Sequence, residues 1–189
     1  MRYQLILFAI LAFRVLAIVL LFLIHPLVAI AINIAGDAID GPIYDYVLKF
    51  GKLKNQMYDK VLDFAYYIGL MIVVLQLTLP FSQLLFILFV YRTIGQFVFF
   101  TTKDKRYFTL FPNFFEYFTI GVLIVEFINP ADTFVRFLIT MALFAVMTGF
   151  KLWNENFLHR ENKTMFQTFW IPVFKRLGFR FAYALQRTY

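Results

Sequence analysis

Cysteine is absent from all 189 residues. Disulfides, thiolate metal sites and cysteine nucleophiles are therefore excluded, and any metal must take oxygen or imidazole ligands. Charge is scarce as well: Asp, Glu, Lys and Arg make up 15% of the chain against 62% hydrophobic residues. With a mean hydropathy of +0.75, a water-soluble domain is excluded. Short alternating strands are missing too. The apolar residues run almost unbroken for about twenty positions at a time, which rules out an outer-membrane barrel and predicts spanning helices. No small-residue cleavage pattern follows the first apolar stretch, so it reads as retained rather than as a signal peptide. No internal repeat is present.

What remains is an all-α, polytopic transmembrane bundle of about five or six spans. Phenylalanine contributes 27 residues, mostly inside the apolar runs, where it fills space against lipid and neighbouring helices. The expected spans are a long first stretch from Tyr3 to Ala35, then Phe64 to Leu79, Phe81 to Phe100, Leu110 to Ile128 and Thr133 to Leu152. About 33 helical residues would reach roughly 50 Å, beyond a hydrocarbon core of about 30 Å. The first stretch must therefore kink at His25-Pro26, or lie flat before Arg14 as a separate interfacial piece. Residues 1–164 form the bundle, and 165–189, mixing Phe and Trp with Lys and Arg, read as an amphipathic interfacial helix.

The net charge of +7 sits in short connections rather than along one face, which favours anionic lipid over nucleic acid as a partner. Lys49, Lys52 and Lys54, then Lys103, Lys105 and Arg106, then Lys151, Arg160 and Lys163 follow alternate spans. The turns at Leu79-Pro80 and Asn129-Pro130 carry no basic residue. By the positive-inside rule the connection between Gly41 and Tyr58 is cytoplasmic.

That connection is flanked by four aspartates. Asp37 and Asp40 are spaced i,i+3, and Asp59 and Asp63 i,i+4, so each pair occupies one helix face. Four carboxylates at a membrane boundary repel one another, and a divalent cation offsets them best. An all-oxygen set suits Mg²⁺ or Mn²⁺, and two ions can share bridging carboxylates. Gly41 lets a phosphorylated ligand approach the backbone, and Pro42 is expected to stop the helix there.

Asp37-Ala38-Ile39-Asp40-Gly41 followed by Asp59-Lys60-Val61-Leu62-Asp63 resembles the CDP-alcohol phosphotransferase signature D-x2-D-G-x2-A-R-x8-G-x3-D-x3-D. The resemblance implies that Asp37, Asp40, Asp59 and Asp63 hold divalent metal on the diphosphate of a CDP-alcohol donor. Asp63 would also be the base that deprotonates a lipid or polyol acceptor, releasing CMP in phospholipid synthesis. Gly41, Lys60 and Arg92 would bind substrate, and the assembly could be a homodimer. The chain departs from the signature at Tyr44-Asp45, where Ala-Arg is expected. The late pair arrives one residue further on, and the second glycine is missing.

A transport or cation-binding protein, or an inactive member of that family, remains an alternative, as does a purely structural role in which the acids balance nearby lysines. Arg92 is expected to contact a substrate phosphate or to form an ion pair, and Glu116 to be paired. Glu126 and Arg136 are expected to pair across a turn. His25 is read as a backbone hydrogen-bonding partner and not a ligand. Asp45, Asp104, Asp132, Glu155 and Glu161 are read as solvated loop charges, with Asp45 the one among them that is also a candidate participant in the site.

Overall fold

The computed structural model describes the backbone of residues 2–43, 52–104 and 106–160, and the side chains of 4–37, 57–104 and 106–153. Among these residues there are seven helices and no strand: α1 (Arg2–Leu23), α2 (Pro26–Ile43), α3 (Lys52–Gln76), α4 (Ser82–Thr102), α5 (Tyr107–Leu110), α6 (Phe114–Ile128) and α7 (Thr133–Arg160). The segment expected to form an interfacial tail, and the boundary at 164, lie outside the described residues.

Among the described residues, three stretches are long and apolar enough to cross a membrane: Gln4–Leu23, Ser82–Thr102 and Thr133–Trp153. The chain is thus built as a membrane protein. The apolar part of α2 is shorter, Pro26–Asp37. The 15 residues of α6 rise about 22 Å at 1.5 Å each. Large apolar side chains point outward, with Phe8, Phe127 and Phe134 each about 70% exposed. The polar side chains of Arg14, Asp63, Arg92, Gln96 and Glu116 are buried. This inverted distribution is what lipid as solvent demands, since it rewards apolar exteriors and forces polar groups to find partners within the bundle.

The first stretch bends at His25-Pro26, the first of the two expectations, and the bend is a full break and not a kink. It breaks at Ile24-His25 and folds back, so that Phe13 and Arg14 of α1 stand opposite Asn33, Gly36 and Asp37 of α2. Pro26 occupies the first position of α2, where its missing N–H is no loss. His25 caps the helix: its Nδ1 accepts the Leu27 N–H at 3.3 Å, and its ring meets Phe127 edge-on at 5.7 Å. That contact puts the α1–α2 turn at the same end of the bundle as the α6–α7 turn. At Gly36 an added Cβ would lie 2.2 Å from the Phe13 ring, so a glycine lets α1 and α2 approach here.

The expected span from Leu110 is also interrupted. Pro112 disfavours helix at the residue before it, and Phe111 adopts φ −121°, ψ 62°. The helix restarts at Phe114 under an Asn113 cap whose side chain accepts the Glu116 N–H. α2 continues past Pro42 to Ile43, so the proline does not end it at Gly41. In the last turn a proline forfeits a single hydrogen bond, which a helix end tolerates.

Beneath the site lies a core of Leu21, Ile30, Tyr66, Leu70, Val74, Leu85, Phe115, Phe118 and Val122. Asp132, expected as a solvated charge, caps α7 by accepting the N–H groups of Phe134 and Val135 at 2.7 and 3.0 Å. Arg136 pairs with Glu126 at 3.3 Å across the α6–α7 turn, as expected.

Candidate functional site

The polar first turns of α3 carry Asp59, Lys60 and Asp63 ahead of the apolar run that begins at Phe64. The last turns of α2 carry Asp37 and Asp40. Carboxylate oxygens of Asp37, Asp59 and Asp63 lie within 4.8 Å of one another. At that separation two like charges repel by about 3 kcal/mol at an effective dielectric near 20, so the cluster needs positive charge. The side chain of Asp40 lies outside the described residues, as do the surroundings of Gly41 and the side chains of Asp45, Lys49, Lys52, Lys54 and Glu155.

The positive charge among the described residues comes first from Arg14, which sequence reasoning used only as a possible boundary. Arg14 is 3% exposed. Its Nη1 donates to Asn33 Oδ1 at 3.2 Å, its Nη2 donates to Asp37 Oδ1, and the same Nη2 lies 3.6 Å from Asp59 Oδ1. The early and late aspartates therefore meet across α1, which lies between their helices. Lys60 Nζ donates to Asp59 Oδ2 at 2.6 Å and to Asp63 Oδ2 at 2.7 Å. The one signal that could have identified Arg14 is its isolation, as the sole charge between Tyr3 and Leu23 of an apolar helix.

These surroundings drive the two late aspartates apart. Burial, then the neighbouring Asp63 charge, pushes Asp59 up to about 7, against the pull of Lys60. Burial also disfavours ionised Asp63, but Lys60 outweighs it, aided by Arg14 and Arg92, and holds Asp63 below the ordinary carboxylate value. Burial works against the Lys60 ammonium, yet Asp59 and Asp63 raise it above an ordinary lysine. The knot thus contains one carboxyl that readily takes up a proton and one that stays ionised.

Arg92, buried on α4, makes its hydrogen bond to a backbone carbonyl: Nη1 donates to the Phe111 oxygen at 2.6 Å. Its guanidinium lies 4.5 Å from the centre of the Phe108 ring, and Lys60 Nζ lies 5.8 Å from that same ring. Lys60 and Arg92, two of the expected substrate-binding residues, therefore share the space between α3, α4 and α5. Glu116, expected to be ion-paired, is instead hydrogen-bonded to a neutral amide: Asn113 Nδ2 donates to Glu116 Oε2 and to the Tyr67 hydroxyl oxygen, both at 2.7 Å. Asp104 is bound by Arg106 at 2.7 Å on the exposed α4–α5 connection and stands apart from the site.

Three carboxylates offering only oxygen suit a hard divalent cation. With all three carboxyls ionised, Arg14 and Lys60 leave the knot one net negative charge, so Asp37, Asp59 and Asp63 fit such an ion electrostatically once Asp59 has lost its proton. No family model, curated protein or solved structure matches the chain.

Proposed function

We propose that this chain is a membrane-embedded, Mg²⁺- or Mn²⁺-dependent transferase that moves a phosphoalcohol group from a CDP-alcohol to a lipid or polyol hydroxyl, in phospholipid synthesis. The observation that carries the reading is the convergence of Asp37 from α2 with Asp59 and Asp63 from α3, the residues that resemble the CDP-alcohol phosphotransferase signature. In this reading the six long helices all cross the bilayer, with the aspartates on the basic, cytoplasmic side.

Asp37, Asp59 and Asp63, with Asp40 one turn further along α2, would hold one or two ions. Bound there, metal supplies positive charge to the donor's diphosphate. Lys60, Arg92 and the backbone at Gly41 bind the donor. Asp63, kept ionised by Lys60, takes the proton of the acceptor hydroxyl. The acceptor oxygen forms a bond to the phosphorus bearing the alcohol, the bond from that phosphorus to the CMP oxygen breaks, and CMP leaves with the electron pair. Arg14 aligns Asp37 with Asp59 and stands where the missing signature arginine leaves the site short of positive charge.

Purified protein with Mn²⁺ and a panel of CDP-alcohols should release CMP, and Asp63→Asn should lower the rate by at least about a hundredfold. Folded protein that releases none from any donor would refute the reading. A second reading, an ion-pair knot without chemistry, is favoured by Arg14 and Lys60 already offsetting two of the three negative charges. It predicts no saturable Mn²⁺ binding.

A further inference from the structure

Gln96 lies one helical turn beyond Arg92 on the same face of α4 and is 1% exposed. Both its Oε1 and its Nε2 are buried without a hydrogen-bond partner among the described residues, and so is the Nε of Arg92. Orphaned groups of this kind are costly to keep buried, and lipid around the helix offers no water to relieve them. Two donors and one acceptor on successive turns are therefore held in readiness for something that both accepts and donates. We infer that Gln96 and Arg92 Nε form the subsite that recognises a hydroxyl-bearing acceptor, a small polyol, beside the aspartate knot.

The chemistry narrows the ligand. A phosphate offers only acceptor oxygens and would leave Gln96 Oε1 facing negative charge. A hydroxyl accepts from Nε2 or Nε and donates to Oε1. A nucleobase edge offers the same mixture, but the guanidinium face on which a base would stack is covered by Phe108 at 4.5 Å. Phe111 also presses on α4 at Gly95, where an added Cβ would meet its Cβ at 2.3 Å, which favours a small ligand. Arg92 and Lys60 lie against the same Phe108 ring, at 4.5 and 5.8 Å, and Lys60 donates to Asp63 at 2.7 Å, which puts the subsite beside the proposed base. The inference rests on the transferase reading for its substrate, but not for its test.

The test uses full-length protein in detergent, the isosteric variant Gln96→Met, and two probes of similar size, glycerol and 1-propanol. Removing a vacant amide should raise the melting temperature of the ligand-free protein by about 2–4 °C, the shift expected for about 1 kcal/mol in a chain of this length. Glycerol should then stabilise wild type more than Gln96→Met, while 1-propanol, whose single hydroxyl cannot engage Nε2, Nε and Oε1 together as neighbouring hydroxyls can, should distinguish them by a clearly smaller margin. A melting temperature that falls in the variant would mean that the amide already has a structural partner, and would overturn the inference. So would equal glycerol stabilisation of both proteins. In the CMP-release assay, Gln96→Met should raise KM for glycerol about tenfold or more and leave KM for the CDP-alcohol unchanged. Absence of CMP from wild type would refute the transferase reading alone, since the melting measurements still decide the role of Gln96.

Discussion

Replacing Arg14 by methionine would leave Asp37 and Asp59 facing each other without the guanidinium that joins them. The guanidinium is buried but both carboxylates keep some access to solvent, so losing these charge-assisted bonds should cost about 1–3 kcal/mol. Arg14→Met should therefore unfold at markedly lower temperature than wild type, and Mn²⁺ should restore more stability to the variant than it adds to wild type. Equal melting temperatures without metal would show that the guanidinium does not hold the knot together. At Asp59 the sign of the pH dependence follows from its raised value. Its protonated form is favoured in the fold, so the stability it contributes is full below the ordinary 3.8 and is lost as pH rises through about 7. A cation that needs the ionised carboxylate gains over the same window, so Mn²⁺ affinity should rise with pH by up to about tenfold per unit below pH 7 and level off above it. Calorimetric titration in several buffers reads both the affinity and the proton released; an affinity independent of pH between about 5 and 7 would remove Asp59 from the ligand set.

Helices meet here through particular small residues. Gly95 allows the α5–α6 connection to cross α4, because Phe111 Cβ, anchored to its own backbone, would lie 2.3 Å from any Cβ at this position. Gly95→Ala should destabilise by about 1–3 kcal/mol. Gly149 on α7 has nothing within 4 Å of a built Cβ, and alanine there should be neutral or stabilising by up to about 1 kcal/mol. Thermal unfolding of the two variants side by side checks the contrast; similar behaviour would mean that the close crossing at Gly95 is absent.

For the molecule as a whole, the polar loops should divide between the two sides of the membrane. The natural absence of cysteine makes every introduced thiol a clean reporter. Lys103→Cys, at the basic end of α4, should react with an impermeant maleimide only from the cytoplasmic side. His25→Cys and Ala131→Cys, at turns joined by the His25–Phe127 contact, should react only from the opposite side. Labelling of Lys103→Cys and Ala131→Cys from one side would overturn the alternating topology and the cytoplasmic placement of the aspartates.

Much of this protein could be read directly from its residues. Hydropathy announced membrane helices, because lipid selects for apolar surface wherever a helix meets it. Proline marked the connections at Leu79-Pro80 and Asn129-Pro130, basic residues marked the alternate ones, and periodicity put Asp59 and Asp63 on one face. The limits are equally specific. Tyr3 to Ala35 reads as one run because composition does not change at Ile24-His25, yet a capping histidine and a proline at the first helical position turn it into a hairpin. Arg14, Asn33 and Gln96 gave no spacing signal, since their partners lie on other helices or have yet to bind. Local chemistry along the chain determined the solvent, the helices and the acidic character of the site. Only tertiary structure decided that α1 would lie between α2 and α3 and bring Arg14 to both Asp37 and Asp59, because the reach of a buried charge depends on distance through space and not on separation in sequence.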